Sequence, residues 1–575
     1  MKITFMRGGV VLPSLLLAAC ASAPVAPPAL TDYTINSGAE RAPEQLAVVF
    51  EHADLAWRVD PASRSIVGDA TLTLRSTTPL ARVVLDLDRN LPIDSVAVDG
   101  QPLPANAYSN PDGRLTITLP QPLASGARTD VRVRYHGVPH VARRAPWDGG
   151  FVWATAPTGE AWIGTAVEGE GCDLFWPCID HPKGKPQLVD EHITVPAPLV
   201  AVGNGIDLGS VRGSDGWTTY HWRAKSPSTY GVSLNIGPFQ LLSGDYASRY
   251  GNHIPLRFWY LRGNEVKAKA LFAEFPTMLD FFESAIGPYP FGDEKMGVVE
   301  TPYKGMEHQT INAYGNNYAQ SEDGYDDLLQ HEAAHEWFGN QMTNANWDDM
   351  WLHEGFASYM QPMYAQYLHG EREYFATLER LRLRIQNKAP IVANRPRREE
   401  DVYNTDRGGP GGDIYDKGAL TLHSLRALIG DAAFGRALRR LVYGVEQPLP
   451  GQFQPRYASS REFITIVNKV TGRDLSWFFD VYLYQAALPE LRSERRGDQL
   501  LLSWHTESQQ VFPMPVEVLV GTRLVSLPMT DGQGQLTVPP GVLYTLDPAS
   551  KLLRREAHIE RYQQYREAQR AAAKH

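Results

Sequence analysis

The sequence predicts a multidomain α+β protein with an N-terminal antiparallel β domain, a mainly helical central domain and a small C-terminal β domain. Three observations indicate this order. The chain has 575 residues, which is too long for one ordinary hydrophobic core. Near both ends apolar residues alternate at period two, as in half-buried strands. In the central part they recur every three or four residues, as in helices.

The composition is that of a soluble globular protein. Hydrophobic residues make up 43% and charged residues 21% of the chain, which is the usual range for this class. The net charge of -10 gives no reason to expect the basic surface that nucleic-acid binding usually needs. We therefore expect no nucleic-acid partner.

Residues 1–19 have the pattern of a secretion signal. Lys2 and Arg7 precede a short apolar run over residues 10–19, which is too short to span a bilayer as a stable helix. An ordinary signal peptide, cut nearby after small residues, is one interpretation.

A lipoprotein signal is the other interpretation. Residues 17–20 are Leu-Ala-Ala-Cys, which resembles the lipobox of bacterial lipoproteins and implies cleavage before Cys20 and lipidation of its thiol. Ala21 follows rather than Asp, which by the same resemblance favours the outer membrane. Residues 20–45, rich in Ala and Pro, are predicted to be a flexible tether. We therefore expect a periplasmic protein held to a membrane by lipid on Cys20.

Residues 46–245 are predicted to form the N-terminal β domain. Apolar and polar residues alternate over residues 70–75 and 131–135, and Asp99 and Gly100 between apolar runs indicate a hairpin turn. No alternation of strands with helices occurs here, so an antiparallel sandwich or saddle-like sheet is expected.

Residues 246–490 are predicted to form the helical domain. A helix is expected over residues 268–284, kinked or split at Pro276. Further predicted elements are helices over residues 373–387 and 417–429 and a Gly-rich loop over residues 408–412. Residues 491–575 are predicted to form the small β domain, with strands at 499–504 and 516–520, a turn at 531–532 and an exposed or loosely packed helical tail from 557.

Cys172 and Cys178 are the two cysteines of the predicted mature chain. In an oxidising periplasm they could pair across a small loop. Alternatively they are two buried thiols, which behave as small hydrophobic groups. Sequence does not fix the distance between their Cα atoms, so both interpretations stay open.

A metal site is predicted at residues 331–335, whose sequence is His-Glu-Ala-Ala-His. Four residues apart on a helix, His331 and His335 lie on one face and can bind the same ion. Zinc is suited to two imidazole nitrogens and one carboxylate, with a fourth position left open. Glu332 is rotated off that face, where it can act on the attacking water as a general base.

Five residues alone can match this pattern by chance on any helix. Glu354 follows His335 with 18 residues between them. Gly339 and Asn340 can break the first helix, so that a second helix returns antiparallel and brings Glu354 to the metal. We therefore predict one zinc ion per chain, held by two histidines and this glutamate.

Residues 331–340 and 351–355 resemble the M1 family of metallopeptidases, the gluzincin aminopeptidases that include aminopeptidase N and leukotriene A4 hydrolase. The resemblance covers most of the predicted mature chain, with further family-like segments at residues 175–182, 226–230, 287–291 and 471–479. It implies a thermolysin-like catalytic domain and zinc-dependent removal of the N-terminal residue from peptides with a free N-terminus.

The resemblance also implies substrate contacts. Residues 304–308, Lys-Gly-Met-Glu-His, resemble the family's Gly-x-Met-Glu-Asn segment, although Lys and His at its ends depart from that pattern. Gly305 and Met306 would contact the substrate, and Glu307 would bind its ammonium group by charge-assisted hydrogen bonds.

Two more residues follow from the resemblance. A second ammonium anchor lies twelve residues before the Asp of the family's Pro-Cys-x-Asp segment. Counting back from Asp180 gives Glu168, with Glu170 as a close competitor. Tyr415, in a Tyr-Asp-Lys-Gly segment 61 residues after Glu354, resembles the family's donor to the oxyanion.

Other functions remain as alternatives. A thermolysin-like endopeptidase shares the metal pattern, but Glu307 and Tyr415 argue against it. Epoxide hydrolysis occurs in one branch of the family. From another class, the protein would be a catalytically inactive, lipid-anchored binding protein, although the complete set of site residues argues against this. The family's large helical C-terminal domain is not predicted in residues 491–575, so a more open cleft is expected.

Overall fold

Residues 29–572, except residues 36 and 39, are described by the computed structural model. The signal peptide predicted over residues 1–19 and the predicted lipidation site Cys20 lie outside the described residues, as does part of the tether predicted over residues 20–45. No helix within the described residues has both the length and the apolar composition needed to cross a membrane.

The N-terminal region is built from strands, as predicted. Their bounds are β1 Val48–Asp60, β2 Ser65–Ser76, β3 Leu80–Asp86, β4 Ile93–Val98, β5 Gln101–Pro102, β6 Tyr108–Ser109, β7 Arg114–Leu123, β8 Arg128–Gly137, β9 Gly150–Thr155, β10 Ala161–Ala166, β11 Leu188–Pro196, β12 Val200–Val202, β13 Ile206–Arg212, β14 Trp217–Lys225 and β15 Asn235–Gly237.

The main sheet of this region has eight strands in the order β13-β14-β11-β1-β2-β8-β4-β5. The predicted strands at residues 70–75 and 131–135 lie in the neighbours β2 and β8, where Leu72 pairs with Val131. Both side chains are fully buried, as expected when alternate residues face the core. The turn predicted at residues 99–100 joins β4 to β5.

One strand pair departs from the predicted antiparallel arrangement, because β1 and β11 run parallel. Parallel neighbours require a crossover between them. The connection from β1 to β11 runs through β2 to β10 and ends with residues 167–187, a segment that contains Glu168. Within this segment Cys172 and Cys178 form a disulfide, so the first of the two interpretations left open by the sequence is confirmed.

The central region combines strands with most of the helices. Its strands are β16 Phe239–Ala247, β17 His253–Leu261, β18 Met296–Glu300, β19 Gly305–Met306, β20 Asn312–Tyr314, β21 Met342–Asn344 and β22 Arg456–Ala458. The α-helices of the described part of the chain are α1 Pro43–Leu46, α2 Glu265–Phe272, α3 Phe275–Ala285, α4 Asp327–Ala334, α5 Trp351–His369, α6 Glu371–Arg382, α7 Glu399–Tyr403, α8 Asp416–Ile429, α9 Asp431–Tyr443, α10 Ser460–Thr471, α11 Ser476–Tyr482 and α12 Ala557–Ala572.

A five-stranded sheet in the order β16-β17-β18-β20-β19 places β19 at its edge. α4 contacts β19 and β20 on one side and α5 on the other, and α5 in turn packs against α8. The edge strand β19 and the helices α4, α5 and α8 therefore lie side by side. This arrangement brings together segments that are more than 100 residues apart in the chain.

The helix predicted over residues 268–284 is split, which is one of the two expected outcomes. Pro276 lies in the first turn of α3, where its missing N–H leaves no helical hydrogen bond unmade. The helix predicted over residues 373–387 ends earlier, at Arg382. The Gln386 and Asn387 N–H groups instead donate to the buried Asp413 carboxylate, at 2.7 and 2.6 Å.

The loop predicted over residues 408–412 is wrong in its last part. Gly411–Ile414 forms a 3₁₀ helix that leads directly into α8. Short 3₁₀ turns are frequent at the ends of α-helices, and the glycines of this segment did not reveal one.

Two three-stranded sheets form the C-terminal region, in the orders β23-β24-β27 and β26-β25-β28. The strands predicted at residues 499–504 and 516–520 lie in β24 and β25, and the tail predicted from residue 557 is α12. The bounds of these strands are β23 Glu490–Arg496, β24 Gln499–His505, β25 Val516–Val520, β26 Arg523–Leu527, β27 Gln533–Thr537 and β28 Tyr544–Leu546.

Candidate metal centre and active site

α4 carries the two histidines. Asp326 caps the helix by accepting a hydrogen bond from a first-turn N–H at 3.0 Å. The helix ends at Ala334, but His335 keeps helical dihedral angles of -66° and -17°, so it still lies on the same face as His331. Gly339 then adopts a positive φ of 148°, which completes the predicted break before α5.

Three ligand atoms form a small triangle. His331 Nε2 and His335 Nε2 are 3.2 Å apart, and Glu354 Oε2 lies 3.2 and 3.4 Å from them. Donors bound to zinc at about 2.0–2.2 Å in a tetrahedral arrangement lie roughly 3.3–3.6 Å apart. The two imidazoles and the carboxylate therefore fit three corners of a zinc site.

Neighbouring groups orient these donors. The Nδ1–H of His335 donates to the Phe338 carbonyl at 2.9 Å, which leaves the lone pair of Nε2 directed into the triangle. Oε1 of Glu354 accepts hydrogen bonds from the hydroxyl groups of Tyr415 at 3.0 Å and Tyr403 at 3.3 Å. The other oxygen of Glu354 remains for the metal.

A close helix contact brings Tyr415 to this position. A side chain at Gly355 in α5 would approach the backbone of Gly418 in α8 to 3.1 Å, and one at Gly418 would approach Gly355 to 3.0 Å. Without side chains the two helices pack closely, so Tyr415 at the start of α8 lies beside Glu354 at the start of α5.

Glu307 follows the edge strand β19 and is buried. Its Oε1 accepts a hydrogen bond from the Tyr230 hydroxyl at 2.8 Å, and its backbone carbonyl accepts one from the Asn340 side chain at 3.0 Å. Carboxylate oxygens of Glu307 and Glu332 lie within 4.8 Å of each other and of a His335 nitrogen. The predicted anchor and the predicted base therefore lie next to the metal triangle.

The structure distinguishes the two candidates for a second anchor. Glu168 lines the same cleft and is buried, and within the described residues its Oε1 has no hydrogen-bond partner. Glu170 does not line the cleft, and its carboxylate accepts a hydrogen bond from the Gly149 N–H. The geometry therefore favours Glu168.

All nine predicted site residues line one cleft of about 330 Å³. They are Glu168, Gly305, Met306, Glu307, His331, Glu332, His335, Glu354 and Tyr415. A larger cavity of about 920 Å³ near Arg41 and Lys185 contains none of them, so size alone does not locate the site.

Three further residues belong to the site and were not predicted for it. Glu399 and Tyr403 in α7 line the cleft, and Tyr230 holds Glu307 from the N-terminal region. Glu399 lies in a charged run over residues 395–401, a pattern typical of exposed surface. Tyr230 lies in the family-like segment at residues 226–230, which was the one available signal.

Five glutamates make the cleft strongly acidic. Burial and repulsion between carboxylates raise the pKa values of Glu168, Glu332 and Glu399 well above the usual range. Burial alone would also raise the pKa of Glu354, but the adjacent imidazoles hold it below its usual range. Burial alone would lower the pKa of His335, yet the surrounding carboxylates raise it to about 10. The carboxylates around the metal triangle therefore favour positive charge there, which suits a divalent cation and an ammonium group.

Two family models match the chain. The "Peptidase M1 N-terminal domain" matches residues 49–230 and the "Peptidase family M1 domain" matches residues 275–482. The first contains Glu168, and the second contains the metal triangle, Glu307 and Tyr415.

The chain is also similar to individual peptidases and a solved M1 structure. Leukotriene A-4 hydrolase of Xenopus laevis is 26% identical over 56% of this chain and 52% of its own length. Aminopeptidase B of Mus musculus is 26% identical over 64% of this chain and 58% of its own length. The chain thus spans little more than half the length of these curated relatives. An M1 zinc metallopeptidase variant from Deinococcus radiodurans, bound to a Tyr-Ser-Ala substrate, has a TM-score of 0.66 at 25% identity and covers 79% of this chain and 98% of its own.

Proposed function

Because the chain belongs to the M1 peptidase family, we propose that it is a zinc-dependent aminopeptidase that removes single residues from the N-termini of peptides. The observation that carries this proposal is the pair of buried carboxylates, Glu307 and Glu168, in the same cleft as the metal triangle. The unpartnered oxygen of Glu168 would be satisfied by a substrate ammonium group. An endopeptidase, which cleaves internal peptide bonds, has no need of carboxylates that bind a substrate ammonium group.

His331, His335 and Glu354 would hold one zinc ion. When bound, zinc supplies a Lewis acid that polarises the scissile carbonyl and makes water more acidic.

Glu332 accepts a proton from the attacking water and passes it to the leaving amine. Burial and the neighbouring carboxylates raise the pKa of Glu332, and a divalent cation held at the adjacent triangle would oppose that shift. Overall, the first peptide C–N bond breaks, the carbonyl carbon gains the hydroxyl group of water and the amine gains the proton.

Tyr415 stabilises the negative charge that develops on the carbonyl oxygen. Burial and the nearby Glu354 raise the pKa of Tyr415 well above its usual value, so its hydroxyl group stays protonated and available as a donor. Glu307 and Glu168 bind the ammonium group and thereby fix which peptide bond reaches Glu332.

The test compares an aminoacyl chromogenic amide with its N-acetylated form, using protein of known zinc content. We expect hydrolysis of the free-amine substrate alone, loss of activity with a chelator and recovery with zinc. E332Q should keep its zinc and lose turnover by about 10²- to 10⁴-fold. Cleavage of blocked peptides at internal bonds would instead support an endopeptidase, and bound zinc without any turnover would support a binding protein.

We propose further that the protein is a lipoprotein anchored through Cys20 and that it faces the periplasm at the outer membrane. The lipobox-like residues 17–20 support this proposal. The disulfide between Cys172 and Cys178 suits an oxidising compartment. C20S should move the protein from the membrane to the soluble fraction, and a variant that still fractionates with membranes would contradict the proposal.

A further inference from the structure

Two basic side chains line the otherwise acidic cleft. Lys304 and Arg144 are both exposed. Neither forms an ion pair with a carboxylate within the described residues. The Arg144 guanidinium lies 5.3 Å from the ring centre of Trp147, which also lines the cleft. These cations do not suit an ammonium group or a metal ion, so they point to a negatively charged part of the substrate.

The edge strand β19 gives the substrate a direction. β19 lies at the edge of its sheet and pairs with β20, with Gly305 opposite Tyr314, and the Gly315 N–H donates to the Lys304 carbonyl at 2.5 Å. Because backbone groups alternate in direction along an antiparallel strand, the N–H and C=O of Gly305 face the open edge. A peptide can add to this edge as a further short strand.

Gly305 also allows the peptide to come close to the reacting groups. A side chain at this position would meet Glu332 Oε1 at 2.4 Å and Leu328 at 2.8 Å. The face of β19 at Gly305 therefore lies directly against the helix that carries the predicted base.

The spacing along this strand sets the length of the substrate. With its ammonium group at Glu307, an added peptide runs antiparallel to β19 and towards Lys304. Lys304 and Glu307 are three positions apart in the sequence, which is about 10 Å at roughly 3.3 Å per residue. Two or three extended substrate residues cover a similar distance, at most about 7–11 Å. The carboxylate of a dipeptide or tripeptide then lies within reach of Lys304.

We propose that Lys304, together with Arg144, binds the C-terminal carboxylate of dipeptides and tripeptides, so that short peptides with a free carboxylate are the preferred substrates. This inference rests on the proposed aminopeptidase function and adds the substrate class. Glu307 and Glu168 bind one end of the peptide and the two cations bind the other, with the first peptide bond between them.

The test uses two tripeptides of the same sequence, Leu-Gly-Gly with a free carboxylate and with a C-terminal amide. The wild-type enzyme should cleave the free acid with a kcat/KM about 10- to 100-fold higher, the range expected for a charge-assisted hydrogen bond. K304M should reduce this ratio by about tenfold, and K304M/R144M should bring it close to one. Using the ratio removes any effect that the lost charge has on Glu332, because both substrates experience it.

K469M is the matched control, since Lys469 is exposed on α10 and outside the cleft. K469M should leave the acid-to-amide ratio of kcat/KM unchanged. K304R, which keeps the positive charge, should largely retain the wild-type ratio that K304M loses. Thermal melting and zinc content verify that each variant is folded. Equal cleavage of acid and amide by the wild-type enzyme would overturn this inference alone. If the wild-type enzyme cleaves neither of the two peptides and does not cleave the aminoacyl chromogenic amide, the proposed function is overturned and this inference with it.

Discussion

Asp190 in the eight-stranded sheet and the carboxylates of the cleft are all buried, but their surroundings differ. In the eight-stranded sheet, Asp190 on β11 is surrounded by donors from the neighbouring strands. It accepts hydrogen bonds from His52 at 2.8 Å, His221 at 2.7 Å and Arg223 at 2.9 Å. Burial alone would raise the pKa of Asp190, but these partners hold it below its usual value.

Three carboxylates of the cleft lack such partners. Within the described residues, neither Glu168, Glu332 nor Glu399 forms an ion pair with Lys or Arg, and the pKa values of all three are raised. For Asp190 the neighbouring strands supply the counter-charge. The cleft leaves Glu168, Glu332 and Glu399 without such a partner, so that a metal ion and a substrate can supply positive charge from outside.

The largest test of this difference removes a metal ligand. E354A should lose most of its zinc and with it the activity, because the triangle then has two neutral donors. Loss of a ligand should exceed the roughly 10- to 100-fold drop in affinity that follows loss of a supporting partner. Metal analysis after dialysis measures this, with D190N as a control that should keep its zinc. A zinc-replete, active E354A would remove Glu354 from the ligand set.

The second prediction concerns the donor to the oxyanion. Y415F should lower kcat by about 10²- to 10³-fold, or roughly 3–4 kcal/mol, and change KM little. The ground-state carbonyl needs this donor less than the transition state does.

Y403F is the matched control, because the two hydroxyl groups lie 3.2 Å apart and both contact Glu354. Steady-state kinetics of the two variants should give the smaller loss for Y403F. The reverse order would assign the oxyanion to Tyr403.

The sequence predicted elements whose cause is local. Alternation predicted β2 and β8, and a four-residue spacing predicted the two histidines of the metal triangle. The parallel pair β1 and β11 was not predicted, because it depends on how a long crossover closes. The end of α6 at Arg382 was missed because hydrogen bonds to Asp413 from another segment replace helical ones.

The predicted and the missed site residues differ in the same way. Residues with a recognisable local segment, such as Glu307 and Tyr415, were identified by resemblance. Tyr230 acts through a contact to Glu307 that spans 77 residues. Glu399 on α7 is buried and lines the cleft, whereas a charged run in the sequence gives no sign of burial.

The third prediction tests whether a cleft carboxylate contributes binding at a cost in stability. The raised pKa of Glu168 means that the folded state disfavours its charge at neutral pH. E168Q should therefore leave the free energy of unfolding unchanged or higher. KM for free-amine substrates should rise about tenfold, as expected for loss of a charge-assisted hydrogen bond. Urea unfolding and kinetics measure the two effects, and clear destabilisation with an unchanged KM would give Glu168 a structural role instead.

The last and smallest effect is expected in the sheet, and it should have the opposite sign. D190N should lower the free energy of unfolding at neutral pH by about 1–3 kcal/mol, the range for hydrogen bonds to a charged group, while kcat and KM stay at wild-type values. Since the folded state lowers the pKa of Asp190, its contribution is fully present above the ordinary carboxyl pKa of about 3.9 and is lost as the pH falls through the lowered value. The difference between wild type and D190N should therefore shrink as the pH falls below about 4. Urea unfolding across this range tests the sign. A difference that does not shrink below about pH 4 would show that the histidines and Arg223 do not stabilise the charged form of Asp190, and the contrast with the cleft would fail.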